Sequence, residues 1–134
     1  MANLHNYHGR YCEAEFESTF LSYLEEAGWS YLAGSSLPRD SMRDVLYTDD
    51  MEFFLNRTNP DLTADEIQQI MDTVRLAGSE SDFATLHKVY DWMVNGIQFT
   101  PQAALPRMVN LIEFEDPEKN VFRAVNQFTV EYTN

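Results

Sequence analysis

The residues best suited to chemistry in this chain are carboxylates. Glu13, Glu15 and Glu17 alternate near the start of the first helix-patterned segment, and Glu25 and Glu26 close it. On a helix, Glu13 and Glu17 share a face, within reach of one another. Like charges so placed repel slightly, and two readings offset the cost. One is a solvated face whose charge lies near the helix N-terminus, where the dipole favours it. The other is a set of oxygen ligands for Mg²⁺, which binds through carboxylates and keeps several waters. His5, His8 and Cys12 also have helical spacing, but they lack a fourth ligand and lie at a terminus, so residues 1–12 read as a flexible, solvated tail. His87 lies beside the apolar face of its helix with no Ser or Cys partner in view, and reads as a surface or packed histidine.

Several chemistries are excluded by inspection. The 134 residues contain no Gly-x-x-x-x-Gly-Lys, no Gly-x-Gly-x-x-Gly after a strand and no Gly-x-Ser-x-Gly. A single cysteine rules out a paired-cysteine zinc site and an internal disulfide, and fits a reducing cytoplasm. The only lysines, Lys88 and Lys119, follow Leu86 and Pro117 by two positions, so the Asp/Glu-x-Lys pair of many Mg²⁺ nucleases is missing. With 22 acidic against 9 basic residues the formal charge is -13, which argues against gripping a phosphate backbone by this surface alone. Hydrophobic residues at 44% and aromatics at 13% are enough for a folded domain. No run approaches the roughly 20 apolar residues that span a bilayer.

The elements that would carry these residues follow from periodicity. Residues 13–27 place Phe16, Phe20, Leu21 and Leu24 at helical spacing, with Gly28 as the stop. Trp29, Tyr31 and Leu32 suggest a short strand ending at Gly34. Residues 42–56 are helical in pattern, in two pieces divided near Thr48 and Asp49, and Asn59-Pro60 breaks them. Thr63 and Glu66 form a capping box for a helix with Ile67, Ile70, Met71 and Val74 on one face. A further helix carries Phe83, Leu86, Tyr90 and Met93 and stops at Gly96. The period then changes: residues 97–100, 109–114 and 121–132 are strand-like, and residues 116–120 between the last two are turn chemistry, predicting a hairpin. Helices first and strands last predict an α+β fold, with N-terminal helices packed on a C-terminal β-hairpin or small sheet. The sequence stops just after that hairpin, leaving a sheet edge uncovered.

The stretch at residues 108–130, MVNLIEFEDPEKNVFRAVNQFTV, resembles the N-terminal region of the restriction (R) subunit of type I restriction-modification enzymes. In that family a V-x-L-I-D-F strand leads into a D/N-P-E-x-N turn and then F-x-x-V-N-Q-F-x-V. The matching residues are Val109, Leu111, Ile112, Glu113 and Phe114; Asp116, Pro117, Glu118 and Asn120; and Phe122, Val125, Asn126, Gln127, Phe128 and Val130. Glu113 stands where Asp is usual, and Val121 where an Asp is common. The E-x-E-F-E opening (Glu13, Glu15, Phe16, Glu17), the L-x-x-x-G-W step (Leu24, Gly28, Trp29), Asn59-Pro60 and Asn95-Gly96-Ile97 resemble other parts of the same region.

The resemblance implies a nuclease of the PD-(D/E)xK type, followed by two motor lobes that hydrolyse ATP and translocate DNA, in a complex with modification and specificity subunits. The metal-binding Asp and the E-x-K of such a nuclease lie shortly after N-Q-F-x-V. Residues 13–134 are therefore expected to be the first part of an incomplete nuclease domain, cut upstream of its catalytic strands. Such a fragment is expected to be inactive alone and to hold no cofactor, whereas the full subunit uses Mg²⁺ and ATP to cleave unmodified foreign DNA. An acidic residue of the first helix often completes sites of this type, which makes Glu17 and Glu13 the candidate catalytic and metal-binding residues. The competing reading takes the charge at face value, as an acidic DNA mimic or a partner-binding module.

Overall fold

A computed structural model describes residues 12–39, 41–42, 45–79 and 81–131. The expected tail lies outside them, apart from Cys12. The described residues fall into two compact units, one drawn from Met1–Val45 and Phe122–Asn134 and the other from Leu46–Val121.

The unit within Leu46–Val121 is built on three helices. α2 (Thr48–Thr58) opens with Asp49 and Asp50 and closes with Arg57, matching the helix dipole at both ends. The helical pattern expected from residue 42 begins only at Thr48: residues 41–42 and 45–47 are not helical, and 43–44 lie outside the described set. α3 (Ala64–Arg75) starts at the expected capping box, in which Thr63 Oγ1 accepts from the Glu66 backbone N–H at 3.2 Å and Glu66 Oε1 accepts from the Thr63 N–H at 3.0 Å. Its Ile67, Ile70 and Met71 recur at helical spacing and are buried against Phe54 and Leu55 of α2. α4 (Asp82–Asn95) is capped by Ser81, whose hydroxyl accepts from the Ala84 N–H, and ends at Gly96. Two short strands, β2 (Ile97–Phe99) and β3 (Arg107–Val109), pair antiparallel with Ile97 opposite Val109, and these two side chains complete the core.

The other unit holds α1 (Glu13–Glu26), β1 (Ser30–Ala33) and β4 (Arg123–Asn126). β1 and β4 pair in parallel from Ser30 opposite Arg123 to Ala33 opposite Asn126, and α1 lies against both. Trp29 meets Phe122 edge to face, with centroids 5.3 Å apart, at the head of this pairing.

The α+β class holds, with four helices and two two-stranded sheets among the described residues. The hairpin between residues 109–114 and 121–132 does not form. Of residues 109–114 only Val109 lies in a strand, β3, which pairs with β2, and of the described residues in 121–132 only Arg123–Asn126 do, as β4, which pairs with β1. Asn120 supplies the reason: its Oδ1 accepts from the Glu113 N–H at 2.8 Å, and its Nδ2 donates to the Glu113 carbonyl at 2.7 Å. One side chain thus satisfies both backbone groups that a facing strand would have paired. Apolar residues expected to face inward are exposed on two helices, although Leu21 and Leu24 of the α1 stripe are half-buried. Phe16 and Phe20 of α1 are 62% and 54% exposed, and Phe83, Leu86 and Tyr90 of α4 are at least 70% exposed. α4 is instead held by its other side, where Trp92 packs on the core and the Thr85 hydroxyl donates to the Ala77 carbonyl at 3.1 Å.

The chain's two tryptophans, Trp29 and Trp92, lie one in each unit and report on each separately. Ile70→Ala, which empties a fully buried position, is expected to destabilise the three-helix unit by about 2–5 kcal/mol in a denaturant titration followed at Trp92.

Candidate functional site

α1 carries the three candidate carboxylates on different surroundings. Glu13 and Glu15 occupy its first turn, where the unpaired N–H groups favour negative charge, and no side chain caps the helix at Cys12. Glu13 is exposed and borders a wide, mostly apolar groove of about 640 Å³ lined by Phe16, Phe20 and Tyr23. Glu15 is half-buried, and its Oε2 has no hydrogen-bond partner. Glu17 is half-buried too, but lines a smaller and more polar groove of about 280 Å³ together with Ser18, Glu25, Tyr31 and Asn126. The shared face of Glu13 and Glu17 therefore divides between two grooves.

The end of β4 reaches the Glu17 groove. Asn126 Oδ1 accepts from the Tyr31 hydroxyl at 2.8 Å, across the β1–β4 pairing. The next residue, Gln127, has φ 50°, in the left-handed region that a side chain disfavours. From there its Nε2 lies 3.3 Å and 3.5 Å from the two carboxylate oxygens of Glu17. The turn is held from below by Gly34, since a Cβ at that position would overlap the carbonyl oxygens of both Asn126 and Gln127. Only glycine permits this approach. Neither Tyr31 nor Gln127 stands out by residue type; the N-Q-F motif was the only sequence signal for Gln127.

If a Mg²⁺ ion bound in this groove, Glu17 would be the residue to hold it. Glu17 accepts from Gln127 at one edge and keeps further lone pairs toward its groove, as one carboxylate ligand of a largely hydrated ion requires. Among the described residues no three His, Cys, Asp or Glu side chains converge as a metal site. His87 is exposed, consistent with a surface histidine. His5 and His8 lie outside the described residues.

A second polar cluster braces the other unit. Arg107 forks onto Asp61, with Nη1 at 2.6 Å from Oδ2 and Nη2 at 3.2 Å from Oδ1, and Nη2 also donates to Asn59 Oδ1 at 3.0 Å. Asn59 is the C-cap of α2, its backbone N–H and its Nδ2 both donating to the Leu55 carbonyl. The Asn59-Pro60 step thus ends a helix and anchors β3. The Arg107 guanidinium holds the Asp61 carboxyl below its usual range. Glu66 is lowered by the Thr63 backbone N–H first and then by the Gln102 N–H, which it accepts at 3.1 Å.

The chain belongs to the family of type I restriction enzyme R protein N termini, whose model matches residues 10–134. It is similar to a protein of Methanocaldococcus jannaschii named as the MjaIXP endonuclease subunit of a type I restriction enzyme, with 31% identity over 125 residues. That match covers 87% of this chain, which spans only 12% of the relative's length. No solved structure matches it. Among the described residues no helix is long and apolar enough to cross a membrane.

The lowered carboxyls set a pH dependence. A depressed folded-state value contributes stability that is complete above the ordinary carboxylate range and lost as pH falls through the folded values. Arg107→Met is therefore expected to melt below the parent at pH 7, with the gap narrowing as pH falls below about 4. Thermal melts followed at Trp92 across that range check it; a gap that stays constant with pH would assign the loss to packing alone.

Proposed function

We propose that this region is the start of the endonuclease domain of an R subunit, with a nuclease fold of the PD-(D/E)xK type, and that Glu17 is the acidic residue its first helix contributes to a Mg²⁺ site. The supporting observation is the meeting of two separate parts of the family pattern: Glu17 of the E-x-E-F-E opening accepts from Gln127 of N-Q-F-x-V. Glu13, which is exposed and borders the apolar groove, is the weaker candidate for the role.

In this reading the domain begins at residue 13, and the remaining metal-binding Asp and the E-x-K come from chain that follows Asn134 in the whole subunit. The relative's much greater length leaves room for them and for ATP-hydrolysing motor lobes. Mg²⁺, when bound, would stabilise the charge that develops on the scissile phosphate. Glu17 would supply a ligand oxygen, and Tyr31 and Asn126 would shape the wall beside it. The substrate is unmodified foreign DNA, the partners are modification and specificity subunits, and the compartment is the cytoplasm. Grip on DNA falls to other parts of the assembly, because a surface with a formal charge of -13 repels a phosphate backbone. Alone, the chain is expected to cleave nothing and to need no cofactor.

Glu17→Ala in an intact R subunit, assembled with its partner subunits, is expected to abolish DNA nicking while ATP hydrolysis continues at the parent rate. Agarose-gel nicking and phosphate-release assays on one preparation give both values. Nicking at the parent rate would refute the assignment of Glu17.

A further inference from the structure

We infer that Gln127 is a positioning residue for the Glu17 carboxylate, its amide fixing the direction in which that carboxylate presents its free lone pairs to a divalent cation. The inference rests on the reading of Glu17 as a metal ligand. A carboxylate is an acceptor only, so the amide must turn Nε2 rather than Oε1 toward it. Nε2 lies nearly equidistant from the two oxygens, at 3.3 Å and 3.5 Å, which anchors the carboxylate group as a whole toward the end of β4.

The contact is long and solvent-accessible, and adds little to the stability of the fold by itself. What sets it apart is the backbone that delivers it. Gln127 holds φ 50°, a conformation suited to glycine or asparagine, at a turn that Gly34 fits against from below and that Tyr31 fixes through Asn126. Strain at a non-glycine residue persists where its surroundings over-determine it, and such places cluster at functional sites. A glycine here would relax the backbone but lose the amide. Partners that orient a ligating side chain typically change metal affinity by about 10–100-fold when removed.

The test uses the intact R subunit without nucleotide, with Mn²⁺ as the probe and free Mn²⁺ read by electron paramagnetic resonance. Gln127→Gly keeps the left-handed turn and deletes the side chain. Gln127→Asn keeps both the turn and an amide, on an arm one methylene shorter. Both are expected to weaken Mn²⁺ binding about tenfold, with the melting temperature of the metal-free protein unchanged or, for the glycine variant, raised. Mn²⁺ affinity within twofold of the parent in both variants overturns the inference, and a lowered melting temperature with parental affinity does so as well, by reducing Gln127 to a clip between strand and helix. Glu17→Gln separates the two readings. Parental Mn²⁺ binding in that variant removes Glu17 from the metal site, and the inference falls with it. Lost binding in Glu17→Gln beside parental binding in both Gln127 variants leaves Glu17 a ligand and removes only the role given to Gln127.

Discussion

The parallel pairing of β1 with β4 is the constraint on which the Glu17 site depends. It joins residues 95 positions apart in sequence, Tyr31 and Asn126, by a direct hydrogen bond, and it places the end of β4 beside α1. A parallel pair cannot be closed by a tight turn, so long-range contacts must hold its register. Here they follow one another along it: Trp29 on Phe122 at one end, then the Tyr31–Asn126 bond, then Gly34 beneath the Asn126 and Gln127 carbonyls. Beyond the strands, the Arg39 guanidinium covers the Phe128 ring at 4.2 Å and donates to the Thr129 carbonyl, and the Glu131 N–H donates to the Met42 carbonyl. A one-residue slip in this register would turn Asn126 to the other face of the pair and carry Gln127 away from Glu17.

The other unit relies on a different device. Its strands are three residues each, too few to organise the loops around them. Polar side chains do that instead: Asn120 closes the segment after Glu113, Arg107 ties β3 to the corner after α2, and Glu66 serves both its own helix start and the Gln102 N–H. In a chain with few cations, Arg107, Arg75 and Lys119 each lie beside an aspartate. Exposed pairs of this kind contribute little each. Each also neutralises one aspartate, so the formal charge of -13 resides on the remaining carboxylates.

Legibility in the sequence divides along the range of the contacts involved. The capping box at Thr63, the α3 stripe and the stops at Gly28 and Gly96 are local, and the structure reproduces them. The expected hairpin does not form because alternating residues suggest a strand without naming its partner, and the Asn120 side chain removes the need for one. Phe16 and Phe20 of α1 and the α4 stripe turn outward for a related reason: a hydrophobic stripe shows that a helix has two sides, not which side is docked. At the candidate site Glu17 was visible through its residue type and motif. The groove beside it was not, because Tyr31 and Asn126 meet only through the β1–β4 register.

The interleaving of the two units bears on the order in which they can form. The unit within Leu46–Val121 is continuous in sequence and can close on itself as soon as it is synthesised. The other unit is split around it: α1 and β1 leave the ribosome first, yet β1 has to wait for β4, a whole domain's worth of translation later. Closing so long a loop is entropically costly when the intervening chain is slack, and less so once it has condensed. A condensed insert would leave a shorter search between Ser30 and Arg123. Until that search ends, β1 is an unpaired strand edge during biogenesis, the interval in which a chaperone or a misdirected neighbour would find it.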